Sequence, residues 1–201
     1  MVNAIEMLTQ LLDTVNLRLH HSADDLLPSE LTARALTGVN TIGFIVWHMA
    51  RSQDWAVNTA IRDLPEVVTR EPWRYSSVAV AGIGTGFDSS EADDVARRVD
   101  LPDLLAYADA VHADSVEWLR TQSESLLDEI PDVAAHYARH AEYQTAGFRA
   151  EMDSGPEHDD AVGRKGGLPA WVFLTSVAVT HLHRHLGEVD LIKDVIRRGV
   201  S

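Results

Sequence analysis

The sequence predicts an all-α protein built as a four-helix bundle. Four segments repeat their apolar residues at three- and four-residue steps, the alternating pattern of a half-buried strand is scarce, and long connections separate the second segment from the third and precede the fourth. With 201 residues, 45% of them hydrophobic, the chain can bury one sizeable core, and no Gly/Ser linker or shift of composition divides it. One domain spanning residues 1–201 is the expectation.

Ile5, Leu8, Leu11, Leu12, Val15 and Leu19 mark the first helix. Its end near His20 and His21 suits the negative pole of the helix dipole and precedes the turn-like DDLLPSEL. Asn40 or Thr41 can cap the second helix, from about Asn40 to Arg62, with Phe44, Ile45, His48, Ser52, Trp55 and Thr59 on its inward face. A single histidine on such a face is more often a satisfied core residue than a ligand. Trp47 and Trp55 flank His48 and, with Trp171 at one end of the last helix, could wall an apolar pocket, although large aromatics more often fill a core.

From Leu64 to Phe87 the chain is irregular, with Pro65, Pro72 and AGIGTGF. The GxGxG within it lacks the strand and helix setting of a nucleotide-binding turn and reads as a loop. Ser89 or Ser90 can cap EADDVARRV, ahead of a helix from about Leu101 to Ser123 whose buried side is Leu104, Leu105, Ala108, Val111, Ser115 and Leu119 or Trp118. His136 and His140 stand four apart in PDVAAHYARHAEYQTAGFRAEMD, beside Asp132, Arg139 and Glu142. That partly solvated setting suits the entrance to a site better than the site itself.

The last helix is expected from Leu168 to Arg198, opened by Pro169 and closed by Lys193, Arg197 and Arg198 before Gly199. Leu174, Val177, Ala178, His181, His185, Glu188, Ile192 and Val195 share its inward stripe, while His183 lies on the opposite, solvated side. Two histidines four apart rise on one side of a helix and can grip one ion. They can equally hydrogen-bond within a core. Burying two imidazoles and a carboxylate on one stripe costs several kcal/mol unless they are paired or coordinated, which tips the balance toward a metal.

Charge and composition exclude other classes. There are 31 acidic against 17 basic residues, a formal charge of −14, so the overall field repels nucleic acid and anionic membranes, leaving only a small basic group at Arg62, Arg70 and Arg74. The absence of cysteine removes disulfides, cysteine-ligated zinc and a protein thiol nucleophile, so any thiol must come from outside. MVNAIEMLTQLL lacks the basic stretch and apolar run of a secretion signal, and a cytoplasmic protein is expected.

The segments NTIGFIVWHMARSQDW and THLHRHLGEVDLI together resemble the DinB-like, or YfiT-like, superfamily of metalloenzymes, which is unrelated to the DNA polymerase sharing that name and is related to the amino-terminal domain of mycothiol-dependent maleylpyruvate isomerase. The family pattern is one histidine on the second helix of a four-helix bundle and an HxxxH pair, then Gly and Gln or Glu, on the last. His48, His181, His185, Gly187 and Glu188 match it. The resemblance implies that His48, His181 and His185 hold a divalent metal, that the protein is a homodimer, and that a low-molecular-weight thiol such as mycothiol or bacillithiol reacts with a small electrophile. Many members have no established reaction.

Three imidazoles suit zinc first, with nickel, copper or iron also possible, and leave a fourth position for a reactant. A thiol held there is kept as the more nucleophilic thiolate; water activated there makes a hydrolase from the same ligands. A non-catalytic metal- or ligand-binding stress protein is the third reading. Glu188, the candidate catalytic carboxylate, can orient a ligand histidine, approach the metal, or simply pair with Arg184.

Overall fold

The computed structural model of the chain describes residues 3–139 and 167–199. Every regular element among the described residues is helical. Helix α1 (Ala4–Ala23) starts at a capping box in which Asn3 Oδ1 accepts from the Glu6 backbone N–H at 2.8 Å and Glu6 returns to the Asn3 N–H at 3.1 Å. Helix α2 (Ile42–Asp54) runs on without a break into a π-helical stretch, Trp55–Ile61. Helix α3 (Ser89–Arg98) is capped by Asp88, which accepts from Ser90 and Glu91 while Glu91 bonds back to it. The expected cap at Ser89 or Ser90 is therefore one or two residues late: a carboxylate followed three positions on by Glu closes the box that serine was expected to close.

Helix α4 (Leu101–Arg120) has Pro102 in its first turn and ends three residues before the expected Ser123. Helix α5 (Val133–Ala138) is short. The last rod comprises one turn at Ala170–Val172, a π-helical stretch Phe173–His181, and α6 (Leu182–Arg198), stopped by Gly199 at φ 61°. Thus both rods expected to carry histidine ligands include π-helical stretches, a feature frequent at functional sites and without a sequence signature.

Helix α1 lies against α4 and α6, α2 against α3, α4 and α6, and the two π-helical stretches against each other. Trp55 meets Phe173 edge to face at 6.2 Å between ring centroids. Leu12, Ile45, Leu104, Leu119, Leu174 and Leu186 are fully buried, each worth about 1.5–3 kcal/mol relative to exposure. No helix among the described residues is long and apolar enough to cross a membrane.

Helix α2 is enclosed on nearly every side, so its polar residues are buried as well as its apolar ones. The irregular 62–87 segment packs down on it: Trp47 Nε1 donates to the Val78 carbonyl at 3.0 Å and Arg51 Nε to the Gly82 carbonyl at 3.1 Å. Gly84, at φ +92°, comes so close that a Cβ would stand 2.8 Å from the Phe44 ring. Trp47 and Trp55 are consequently core residues and not pocket walls, their rings being consumed by this packing. Nor do Arg62, Arg70 and Arg74 form a basic patch: the first two share Asp114, and Arg74 pairs with Glu71 and lies over Tyr75.

Candidate metal centre

His48 sits on α2, His181 closes the π-helical stretch, and His185 follows one turn later in α6. Their Nε2 atoms converge. That of His181 lies 3.3 Å from that of His48 and 2.8 Å from that of His185, and the three rings meet edge to face. The ligand atoms of this group all lie within 4.8 Å of one another.

The outward nitrogens decide what the inward ones can do. His48 Nδ1 is 2.5 Å from the Ile83 carbonyl oxygen, which can only accept, so Nδ1 carries the proton and Nε2 presents a lone pair. His185 Nδ1 is likewise 2.7 Å from Glu188 Oε2, and an ionised carboxylate also only accepts. Such partners fix tautomer and ring orientation and raise ligand basicity. His181 Nδ1 is buried with no hydrogen-bond partner among the described residues.

Burial holds His48 down at about 4, with the Ile83 bond opposing it, and holds His181 at about 3, with the neighbouring histidines adding to the effect. Both rings are neutral at pH 7, the form a metal requires. The His48 Nε2 lone pair then points into the space shared with the Nε2 atoms of His181 and His185. A divalent cation satisfies all three. Two zinc–nitrogen bonds of the usual length at a tetrahedral angle place their nitrogens about 3.3 Å apart, which is the His48 to His181 separation, while His181 and His185, at 2.8 Å, stand closer than that. The donor set fits a divalent metal.

Of the sequence candidates, His48, His181 and His185 come together and Glu188 stands behind His185. His183 stays outside the group, half-buried on the side of the helix where Thr180, Gly187, Asp190 and Asp194 are exposed; burial, followed by the charge of Arg18, lowers its pKa. His136 is also outside, its Nδ1 3.0 Å from the Ala60 carbonyl at the far end of the α2 rod, 4.0 Å from Asp63 through Nε2. That contact secures α5 against the Ala60 end of the rod, away from His48. His140 lies outside the described residues.

Sequence reasoning missed the Ile83 carbonyl and the buried polar group behind it, Arg51, Asp54, Glu66 and Tyr107. The available signal was the polar run RSQD inside an otherwise apolar helix.

Fold and site define a helical protein with a three-histidine group that could bind a divalent metal. The sequence matches the DinB superfamily over residues 11–189, and the chain belongs to that superfamily. No curated protein matches it. The crystal structure of a conserved protein of locus from Enterococcus faecalis is similar, with a TM-score of 0.66 and 14% identity over 97% of this chain and 98% of that one. At that identity the likeness is one of fold.

Proposed function

We propose that the chain is a divalent-metal-dependent enzyme, with zinc the first choice and nickel the second, that transfers or isomerises a small electrophile using a low-molecular-weight thiol. The observation that supports it best is the convergence of three Nε2 atoms, two of them held inward by bonds to Ile83 and Glu188. When bound, the metal would supply a Lewis acid able to keep a thiol as thiolate at neutral pH. His48, His181 and His185 would hold it through their Nε2 atoms, three ligands that leave a fourth position to the reactant. Glu188 keeps the Nδ1 proton of His185 in place and so acts through that ligand. The absence of cysteine, which requires the thiol to be external, agrees with mycothiol or bacillithiol as cosubstrate. In the same reading residues 1–201 form one four-helix-bundle domain that works as a cytoplasmic homodimer without nucleic acid or membrane partners.

Cobalt-loaded protein titrated with mycothiol, bacillithiol and glutathione tests the thiol step. An intense near-ultraviolet charge-transfer band that is absent from His48→Ala supports it. If no thiol changes the spectrum and His48→Ala abolishes ester or amide hydrolysis, the protein is a hydrolase instead. Tight ligand binding without turnover would make it a binding protein.

A further inference from the structure

Arg51, one turn beyond His48 on α2, is only 2% exposed. Its Nη1 lies 2.5 Å from Glu66 Oε2, 3.2 Å from the Tyr107 hydroxyl and 3.5 Å from Asp54 Oδ2. Its Nε donates to the Gly82 carbonyl at 3.1 Å. Asp54, fully buried, accepts from the Tyr107 hydroxyl at 2.6 Å, from Asn58 at 2.9 Å, and from the backbone N–H groups of Val67 and Val68 at 2.9 and 3.0 Å. Glu66 accepts from Thr59 at 2.7 Å. One buried cation thus serves two buried carboxylates.

Such a group is a poor way to gain stability, because an apolar replacement of similar volume is often as stable or more so. It does confer a fixed geometry. Apart from the Asn58 bond and the Arg51 to Asp54 contact, which lie within the rod itself, these contacts tie the 62–87 segment or α4 to the α2 rod, and the Gly82 carbonyl held by Arg51 directly precedes the Ile83 carbonyl that receives the His48 Nδ1 proton. Close approach of Gly84 to Phe44 and Trp47 restrains the segment on the other side of Ile83.

We propose that the buried Arg51, Asp54, Glu66 and Tyr107 group is the positioning frame of His48, fixing the Gly82 and Ile83 carbonyls so that the His48 ring is kept in one tautomer with Nε2 toward the other two histidines. Arg51 is a positioning residue in this account and touches no reactant. The consequence for metal affinity rests on the metal reading above; the consequence for the tautomer does not.

The deciding variant is Arg51→Lys, which keeps a cation beside the two carboxylates but lacks the Nε–H that holds Gly82. Nitrogen-15 spectra of histidine-labelled, metal-free protein report each ring's tautomer, with His185 as an internal control. The wild type is expected to show His48 as the Nδ1–H form with a slowly exchanging proton. In Arg51→Lys, His48 should become a tautomer mixture with a faster-exchanging proton and zinc affinity should fall roughly 10- to 100-fold, while His185 keeps its wild-type signals. Unchanged His48 signals, or His48 and His185 perturbed alike, would overturn the proposal by reducing the group to general stabilisation. If Arg51→Lys does not fold, Tyr107→Phe, which removes the hydroxyl's bonds to Asp54 and Arg51 and leaves the charges in place, decides by the same criteria. A tautomer change in a protein that takes up no zinc would overturn the metal reading and leave the positioning frame standing.

Discussion

His48 and Arg51, one turn apart on α2, bind adjacent carbonyls of the same loop, Ile83 for the histidine and Gly82 for the arginine. The loop is therefore part of the site although none of its side chains contributes a ligand. His185 gets its orientation differently, from Glu188 on its own helix. The two outward bonds can be tested separately.

Glu188→Ala should weaken zinc binding by roughly 10- to 100-fold, the usual effect of removing a ligand histidine's outer partner. Its side chain is 41% exposed, so the fold should be little affected. Competition titration with a chelator reads the affinity and a thermal melt the fold. Unchanged affinity would mean that Glu188 serves only its pairing with Arg184.

Acid should destabilise the metal-free protein. In the unfolded chain His48 and His181 titrate near 6.5, whereas burial holds them at about 4 and about 3 when folded. Above pH 6.5 both are neutral in either state and contribute nothing to the pH dependence. Below it the unfolded chain binds protons that the folded chain refuses, so stability falls by up to about 1.4 kcal/mol per histidine per pH unit until each folded value is reached. Urea denaturation between pH 7 and 5 should show this slope, and His181→Ala should flatten it. A flat wild-type profile would show that the rings are not held neutral.

Two glycines should respond oppositely. At Gly84 the positive φ and a Cβ 2.8 Å from Phe44 make Gly84→Ala destabilising by about 1–3 kcal/mol. Gly187 is in the interior of α6 with open space around its missing Cβ, and Gly187→Ala should stabilise by roughly 0.4–1 kcal/mol. Thermal denaturation of the two variants checks both signs, and equal effects would refute the close approach at Gly84.

The inward face of each long helix was legible because burial on one side leaves a three-and-four stripe, which placed His48, His181, His185 and Glu188 inward; it was the family resemblance that joined His48 to the other two as a ligand set. Helix α2 defeats that logic: covered on nearly all sides, it buries Arg51 and Asp54 off the stripe, where a charged side chain reads as solvated. Ile83 was invisible because its contribution is a backbone carbonyl, which any residue carries. Asp88 was passed over because Ser89 and Ser90 are themselves good caps, and only the pairing with Glu91 distinguishes it. The HxxxH spacing of His136 and His140 could not by itself place them, because it does not specify what faces His136, here the Ala60 carbonyl.

The most direct measurement is the metal content and zinc affinity of protein made without a histidine tag, compared with His48→Ala, His181→Ala, His185→Ala, His183→Ala and His136→Ala. The account predicts one divalent ion per chain in the wild type, strong loss of occupancy in each of the first three variants, and wild-type occupancy in the last two. Full occupancy in His48→Ala together with an empty site in His136→Ala would contradict it.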